Sequence, residues 1–175
     1  MTEIELLIEW LTTLISDNLY PGVFLAALLE TVFPPIPSEV VFPLAGYLVL
    51  QNEMSIVHVF GVGIAGGCGA TLGAFVIYFI ALKVGRAGLS KYMKYARISE
   101  DKLAKADRWF EKYGDKSVLF GRMVPGVREL VSIPAGIFRM NRKKFLIFTF
   151  IGSCSWSILL TWIGYYLGVA TIDIF

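Results

Sequence analysis

Apolar residues along this chain gather into four long runs, and two of them are unbroken: residues 57–82 and 145–169. Each is long enough, as a helix rising 1.5 Å per residue, to cross the roughly 30 Å of hydrocarbon in a bilayer. Both runs are rich in glycine (Gly61, Gly63, Gly66, Gly67, Gly69 and Gly73, then Gly152, Gly164 and Gly168). Small residues let helices in lipid approach closely, so this pattern predicts tight helix packing. None of these glycines follows a strand-like segment, and no glycine-rich nucleotide loop is predicted.

The other two runs are interrupted. Residues 19–50 contain Pro34, Pro35, Pro37 and Pro43, and residues 118–140 contain Pro125, Gly126 and Pro134. Proline removes a helical hydrogen bond and clashes with the preceding turn. A broken helix at membrane depth persists only where protein or a watery cavity satisfies its freed backbone groups. Each interrupted run is therefore predicted to be a helical hairpin, with helix breaks at Pro34 and Pro37 and at Pro125, Gly126 and Pro134. The first run has an alternative in which residues 19–33 make most of a crossing. Ahead of it, Ile4, Leu7, Ile8, Leu11, Leu14 and Ile15 recur at helical spacing, which predicts an amphipathic helix over residues 1–17, either at the interface or packed on the body. No basic n-region precedes it, so it is not read as a cleaved signal peptide. Residues 83–117 are hydrophilic. Ser99 can cap a helix with Glu100 and Asp101 in its first turn and Gly114 past its end. Its stripe of Leu103, Ala106, Phe110 and Tyr113 predicts a helix lying on the headgroups.

Composition agrees: 56% of residues are hydrophobic and 17% charged, with a mean hydropathy of +0.66, against about 25% charged in soluble domains. At 175 residues the chain is read as one all-α membrane domain with no room for a soluble catalytic domain. The net charge of +2 hides an asymmetry: all sixteen Lys and Arg lie from Lys83 onward. Basic residues beside spans stay cytoplasmic, which places residues 83–117 and the cluster Arg139, Arg142, Lys143 and Lys144 inside, and the loop around Gln51 outside. The second hairpin then enters and leaves from the cytoplasmic face, and the first from the opposite one. Pro34 and Pro125, Pro43 and Pro134, Gly61 and Gly152, and Gly73 and Gly164 are each 91 positions apart. That spacing predicts an inverted repeat, each half a re-entrant hairpin followed by a spanning helix, with a site between the broken helices at the midplane. The basic run with Lys91, Lys94 and Arg97 among tyrosines fits anionic lipid better than nucleic acid. Cys68 and Cys154 read as small apolar residues without a disulfide, and neither a metal site nor a cofactor is predicted.

Four charges fall inside the interrupted runs: Glu30 and Glu39 in the first, Arg122 and Arg128 in the second. A charge in the bilayer core is costly and is normally paired, hydrated or functional. One reading is a neutral structural network. The other is a switchable anion site. Pro37-Ser38-Glu39 and Pro125-Gly126 read as starts of return limbs whose helix N-termini favour anions. Arg122 and Arg128 supply planar donor forks that match phosphate oxygens. Glu30 and Glu39 pair with them and exchange a proton when an arginine is engaged elsewhere, as burial allows a carboxyl group to do. Glu129, next to Arg128, is ranked second because adjacent helical positions point apart. An intramembrane phosphatase is the enzymatic alternative, and the single histidine, His58, at a span edge, excludes a mechanism built on two histidines.

The run Phe120-Gly-Arg122-Met-Val-Pro125-Gly-Val-Arg128, followed by Pro134-Ala-Gly136, resembles the signature of the DedA family, also called the VTT or SNARE-associated domain. The segment Glu30-Thr-Val-Phe-Pro-Pro-Ile-Pro37-Ser38-Glu39, ending in Leu44-Ala-Gly46, is similar to that family's first hairpin. The resemblance implies opposed re-entrant hairpins and a non-enzymatic, multi-pass plasma-membrane protein that moves a lipid phosphate, above all undecaprenyl phosphate, on the proton motive force. Phospholipid flippases such as those for phosphatidylethanolamine, scramblases, a small-anion carrier and a structural membrane protein are the alternatives, and a homodimer is possible. The family's acidic pair falls on Glu30 and Glu39, where many members have Asp at the second position, and its arginine pair on Arg122 and Arg128.

Overall fold

A computed structural model describes residues 13–32, 38–95 and 100–172. Among the described residues the elements are helices, and those that build the body are α1 (Leu19–Val32), α2 (Ser38–Gln51), α3 (Val57–Tyr95), α4 (Glu100–Tyr113), α5 (Lys116–Gly121), α6 (Ser132–Ile137) and α7 (Arg142–Ile172). Most of the predicted N-terminal amphipathic helix, the predicted breaks at Pro34 and Pro37, and the Ser99 cap lie outside the described residues.

Two helical stretches are long and apolar enough to cross a membrane, Val57–Gly85 of α3 and Arg142–Gly168 of α7, each with a mean hydropathy of 1.8. α3 kinks at Gly85, whose φ of 64° falls where a side chain is strained. The two long helices pack antiparallel along their glycines: Gly63 faces Ile158, Gly67 faces Cys154, and Tyr78 stacks on Phe145 with ring centroids 4.4 Å apart. Their outward faces carry Phe60, Ile64, Leu72, Phe150, Ile151 and Leu159, all exposed. So continuous an apolar surface suits hydrocarbon, not water.

The shorter helices are laid on this pair in a regular way. α1 runs alongside α3 in the same direction, with Gly61 facing Tyr20 and Gly73 facing Leu28 and Thr31. α5 runs alongside α7 in the same direction, with Asp115 3.1 Å from Lys144 and Gly152 facing Leu119 and Arg122. The second member of each pair crosses to the other long helix. α2 rides on α7, where Gly164 faces Pro43 and Gly168 faces Leu50, and α6 rides on α3, where Gly136 faces Tyr78, Ala81 and Leu82. A Cβ on Gly46 would land on the Thr161 carbonyl of α7, and one on Gly136 would land near the Tyr78 carbonyl of α3. Those two Ala-Gly steps set how closely each helix approaches its neighbour. Gly46→Val and Gly136→Val are each expected to destabilise the fold by about 1–3 kcal/mol, as overpacking does. Thermal unfolding in detergent, followed by size-exclusion chromatography, measures it.

Three expectations need correction. α4 does not spread its stripe on headgroups: Leu103 and Ala106 are fully buried in one cluster with Ile77, Ala81, Leu130 and Ile133, and Trp109 Nε1 donates to the Ser117 carbonyl. In the second interrupted run the helix resumes at Ser132, not at Pro125-Gly126, because residues 122–131 form consecutive turns and Gly126 has a φ of 77°. Pro134 is no break either. It is the third residue of α6, in the first turn, where a missing N–H costs nothing.

Candidate functional site

The turns after α5 gather the second hairpin's charges. Arg122 N still bonds the Val118 carbonyl in helical fashion, but Met123, Val124, Val127 and Leu130 bond three residues back, with Arg128 and Val131 bonding four back between them. This tightened backbone puts Arg122, Arg128 and Glu129 around one small cavity, together with Glu30 and Thr31 of α1, Phe42 of α2, Ala70 of α3, and Ser153, Trp156 and Ser157 of α7. Ala70 lies thirteen residues from both Val57 and Lys83, about 20 Å from either end of the apolar helix. Ser157 has the same central place in residues 145–169. The cavity therefore sits near the midpoint of both apolar stretches.

Three of the four charges singled out from sequence meet there. Glu30, Arg122 and Arg128 are 3%, 4% and 9% exposed. Arg128 Nη2 donates to Glu30 Oε1, with Glu129 Oε1 at 3.8 Å and the Trp156 ring 5.6 Å from its guanidinium carbon. Arg122 stands differently. Its Nη2 donates to Ser132 Oγ at 2.6 Å, its Nε has no partner, and among the described residues no carboxylate lies within ion-pair distance. Gly152 makes room for it, since a Cβ there would press on Arg122 Cβ.

The fourth is elsewhere. Glu39, in the first turn of α2, is exposed and does not line the cavity, whereas its neighbour Ser38 is fully buried. Of the residues given as helix breaks, Pro125 and Gly126 are exposed in the turn segment and Pro134 is buried in α6. Sequence reasoning ranked Glu129 second and passed over Ser132 and Trp156. It also passed over a polar line on α7: Thr149, Ser153, Ser157 and Thr161 recur every four residues in an otherwise apolar helix, and all are buried. That spacing was the available signal, because residues four apart share a helix face.

The cavity holds about 20 Å³, room for about one water and too little for a phosphate group. The arrangement is closed around two guanidiniums and two carboxylates, and Arg122 is the guanidinium that stands outside a direct ion pair among the described residues.

Comparison with known proteins fits this architecture. The VTT domain family matches residues 35–166, and the chain belongs to that family, the DedA membrane proteins. Undecaprenyl phosphate transporter A of Bacillus subtilis is 36% identical over 96% of this chain and 81% of its own length. The protein of the same name in Staphylococcus aureus is 31% identical over 88% and 76%. A Lactococcus lactis protein named alkaline phosphatase-like is 36% identical over 85% and 71%. No solved structure matches. Membership, the apolar helices and these relatives define a membrane protein of a transporter-type family.

Proposed function

We propose that this chain carries a phosphate-bearing lipid, undecaprenyl phosphate first among candidates, across the plasma membrane with Arg122 as the phosphate ligand. The observation that carries this reading is the buried guanidinium of Arg122, outside any direct ion pair among the described residues, near the midpoint of the two apolar stretches. A buried cation at that depth is costly outside a direct ion pair, and a phosphate supplies such a pair with matching geometry. Arg128, held by Glu30, is the second ligand once that pair opens.

The two helix pairs are read as re-entrant hairpins entering from opposite faces. In support, α1 and α2 both have their outer ends beside the Gly61 and Gly168 end of the long helices, while α5 and α6 have theirs beside Lys144 and Leu82. With the basic residues cytoplasmic, the first pair opens outside and the second inside. Access then alternates at one fixed central site.

Glu30 is the proton carrier in this scheme, since protonation releases Arg128 to the substrate. Glu39, outside the cavity, has no such part. Proteoliposomes given labelled undecaprenyl phosphate in one leaflet test the reading with and without a pH gradient. Wild type is expected to move the lipid and to respond to the gradient, Glu30→Gln to lose that response, and Glu39→Gln to keep it. Movement no faster than in protein-free vesicles, or release of inorganic phosphate as an alkaline phosphatase would cause, overturns the proposal. His58, the only histidine, stacks on Tyr20 with its Nδ1 3.0 Å from the Ser55 carbonyl, at the far end of α3 from the basic residues.

A further inference from the structure

A second concavity lies where α3 reaches its basic end. It has a volume of about 740 Å³ and is lined by Lys83, Arg139, Arg142 and Lys143, with Tyr78 and Phe79 among its apolar walls. Among the described residues, no carboxylate lines it. That size falls within the range of small-molecule sites, and four cations in one hollow repel one another unless an anion is present.

The cations are placed, not scattered. Lys83 Nζ lies 4.7 Å and the Arg142 guanidinium carbon 5.7 Å from the Phe79 ring centre, so one aromatic face holds two charges from different helices. Arg139 has a φ of 53°, a left-handed conformation that costs a non-glycine residue on the order of 1 kcal/mol. The turn that imposes it is tied down by Met140 N on the Ala135 carbonyl and by the Tyr78 hydroxyl on the Met140 carbonyl. Lys144, the remaining cation of the cluster, does not line the hollow and pairs with Asp115 at 3.1 Å. A basic cluster serving only to set orientation would have no reason to separate one lysine from three other cations in this way.

We infer that this hollow is a separate binding site for the phosphate of an anionic membrane lipid, at headgroup level. Lys83 and Arg142 stand where the apolar stretches of α3 and α7 end. A phosphate seated there leaves its acyl or prenyl chains in hydrocarbon beside the outward faces of both helices. The mid-membrane cavity and this hollow are both lined by α3 and α7, and about 12 Å of helix separates Ala70 from Tyr78. Resting on the transport reading, the hollow is the stage at which the lipid phosphate is held on entering or leaving the arginine cavity.

Native mass spectrometry of the full chain in neutral detergent, titrated with dioleoyl phosphatidic acid as the lipid phosphate monoester, tests this. The double variant Lys83→Gln/Arg142→Gln is expected to weaken binding roughly thirtyfold, on the scale of basic residues acting at an anionic surface. Lys144→Gln, a loss of charge just outside the hollow, is expected to change it less than twofold. Losses that simply follow net charge, equal per residue for Lys144→Gln and the double variant, overturn the inference. So does displacement of the lipid by an equal concentration of inorganic phosphate, which marks a free-anion site. Arg122→Gln separates the two readings. If it abolishes lipid binding while the double variant binds as wild type, the hollow is not a site and the central arginine reading stands. If the double variant alone weakens binding, the hollow is confirmed.

Discussion

Arg122→Met is expected to slow transfer of polyprenyl phosphate by about 10- to 100-fold while leaving the protein as stable as its parent or more so. A hydrogen bond to a charged partner contributes about 1.5–3 kcal/mol, and each 1.4 kcal/mol is tenfold, which sets the loss. The stability prediction runs against the usual sense of a core substitution. In the closed arrangement the guanidinium keeps one bond to Ser132 and leaves Nε unpartnered. An apolar side chain of similar length removes a buried guanidinium that holds no direct ion pair among the described residues, so its desolvation cost goes with it and little stability is lost. Thermal unfolding in detergent and transport in proteoliposomes, measured on the same preparation, decide it. A fall in both would mean that Arg122 is structural, and full transport would remove it from the phosphate site.

The second large effect belongs to the Glu30–Arg128 pair, and it has the opposite signature. Glu30→Gln leaves Arg128 buried beside a neutral amide. Breaking a buried pair in this way costs about 3–5 kcal/mol, with the lower end expected because Glu129 and the Trp156 ring remain near Arg128. Glu30→Gln/Arg128→Gln should recover most of that loss, since the residues act as one unit, yet transport should fall with the loss of Arg128. Chemical unfolding of the three variants in mixed micelles gives the coupling. Additive losses would show that the two residues do not depend on each other.

The long helices were legible because unbroken apolar runs need no tertiary information: residues 57–82 and 145–169 became Val57–Gly85 and Arg142–Gly168. That Glu30, Arg122 and Arg128 come together was also legible, since charge in hydrocarbon demands a partner. Which carboxylate completes the group was not. Glu129 was ranked below Glu39 on the rule that neighbouring residues of a helix diverge, but residues 122–131 are turns, where both Arg128 and Glu129 reach the same cavity. Glu39 was misplaced because periodicity gives the faces of a helix without saying which one points inward. The α4 stripe failed for the same reason: an apolar face reads alike whether it meets lipid or protein.

The crossing of α2 onto α7 and of α6 onto α3 has a mechanical consequence. Each long helix is clasped by a limb from both halves of the chain, and Gly46 and Gly136 bring those limbs to backbone contact. The halves are therefore interlocked, and swinging one away from the other as a rigid body would tear both clasps at once. The glycine seam between the long helices works as a stationary post, and the turn segment 122–131 that carries Arg122 lies outside both clasps.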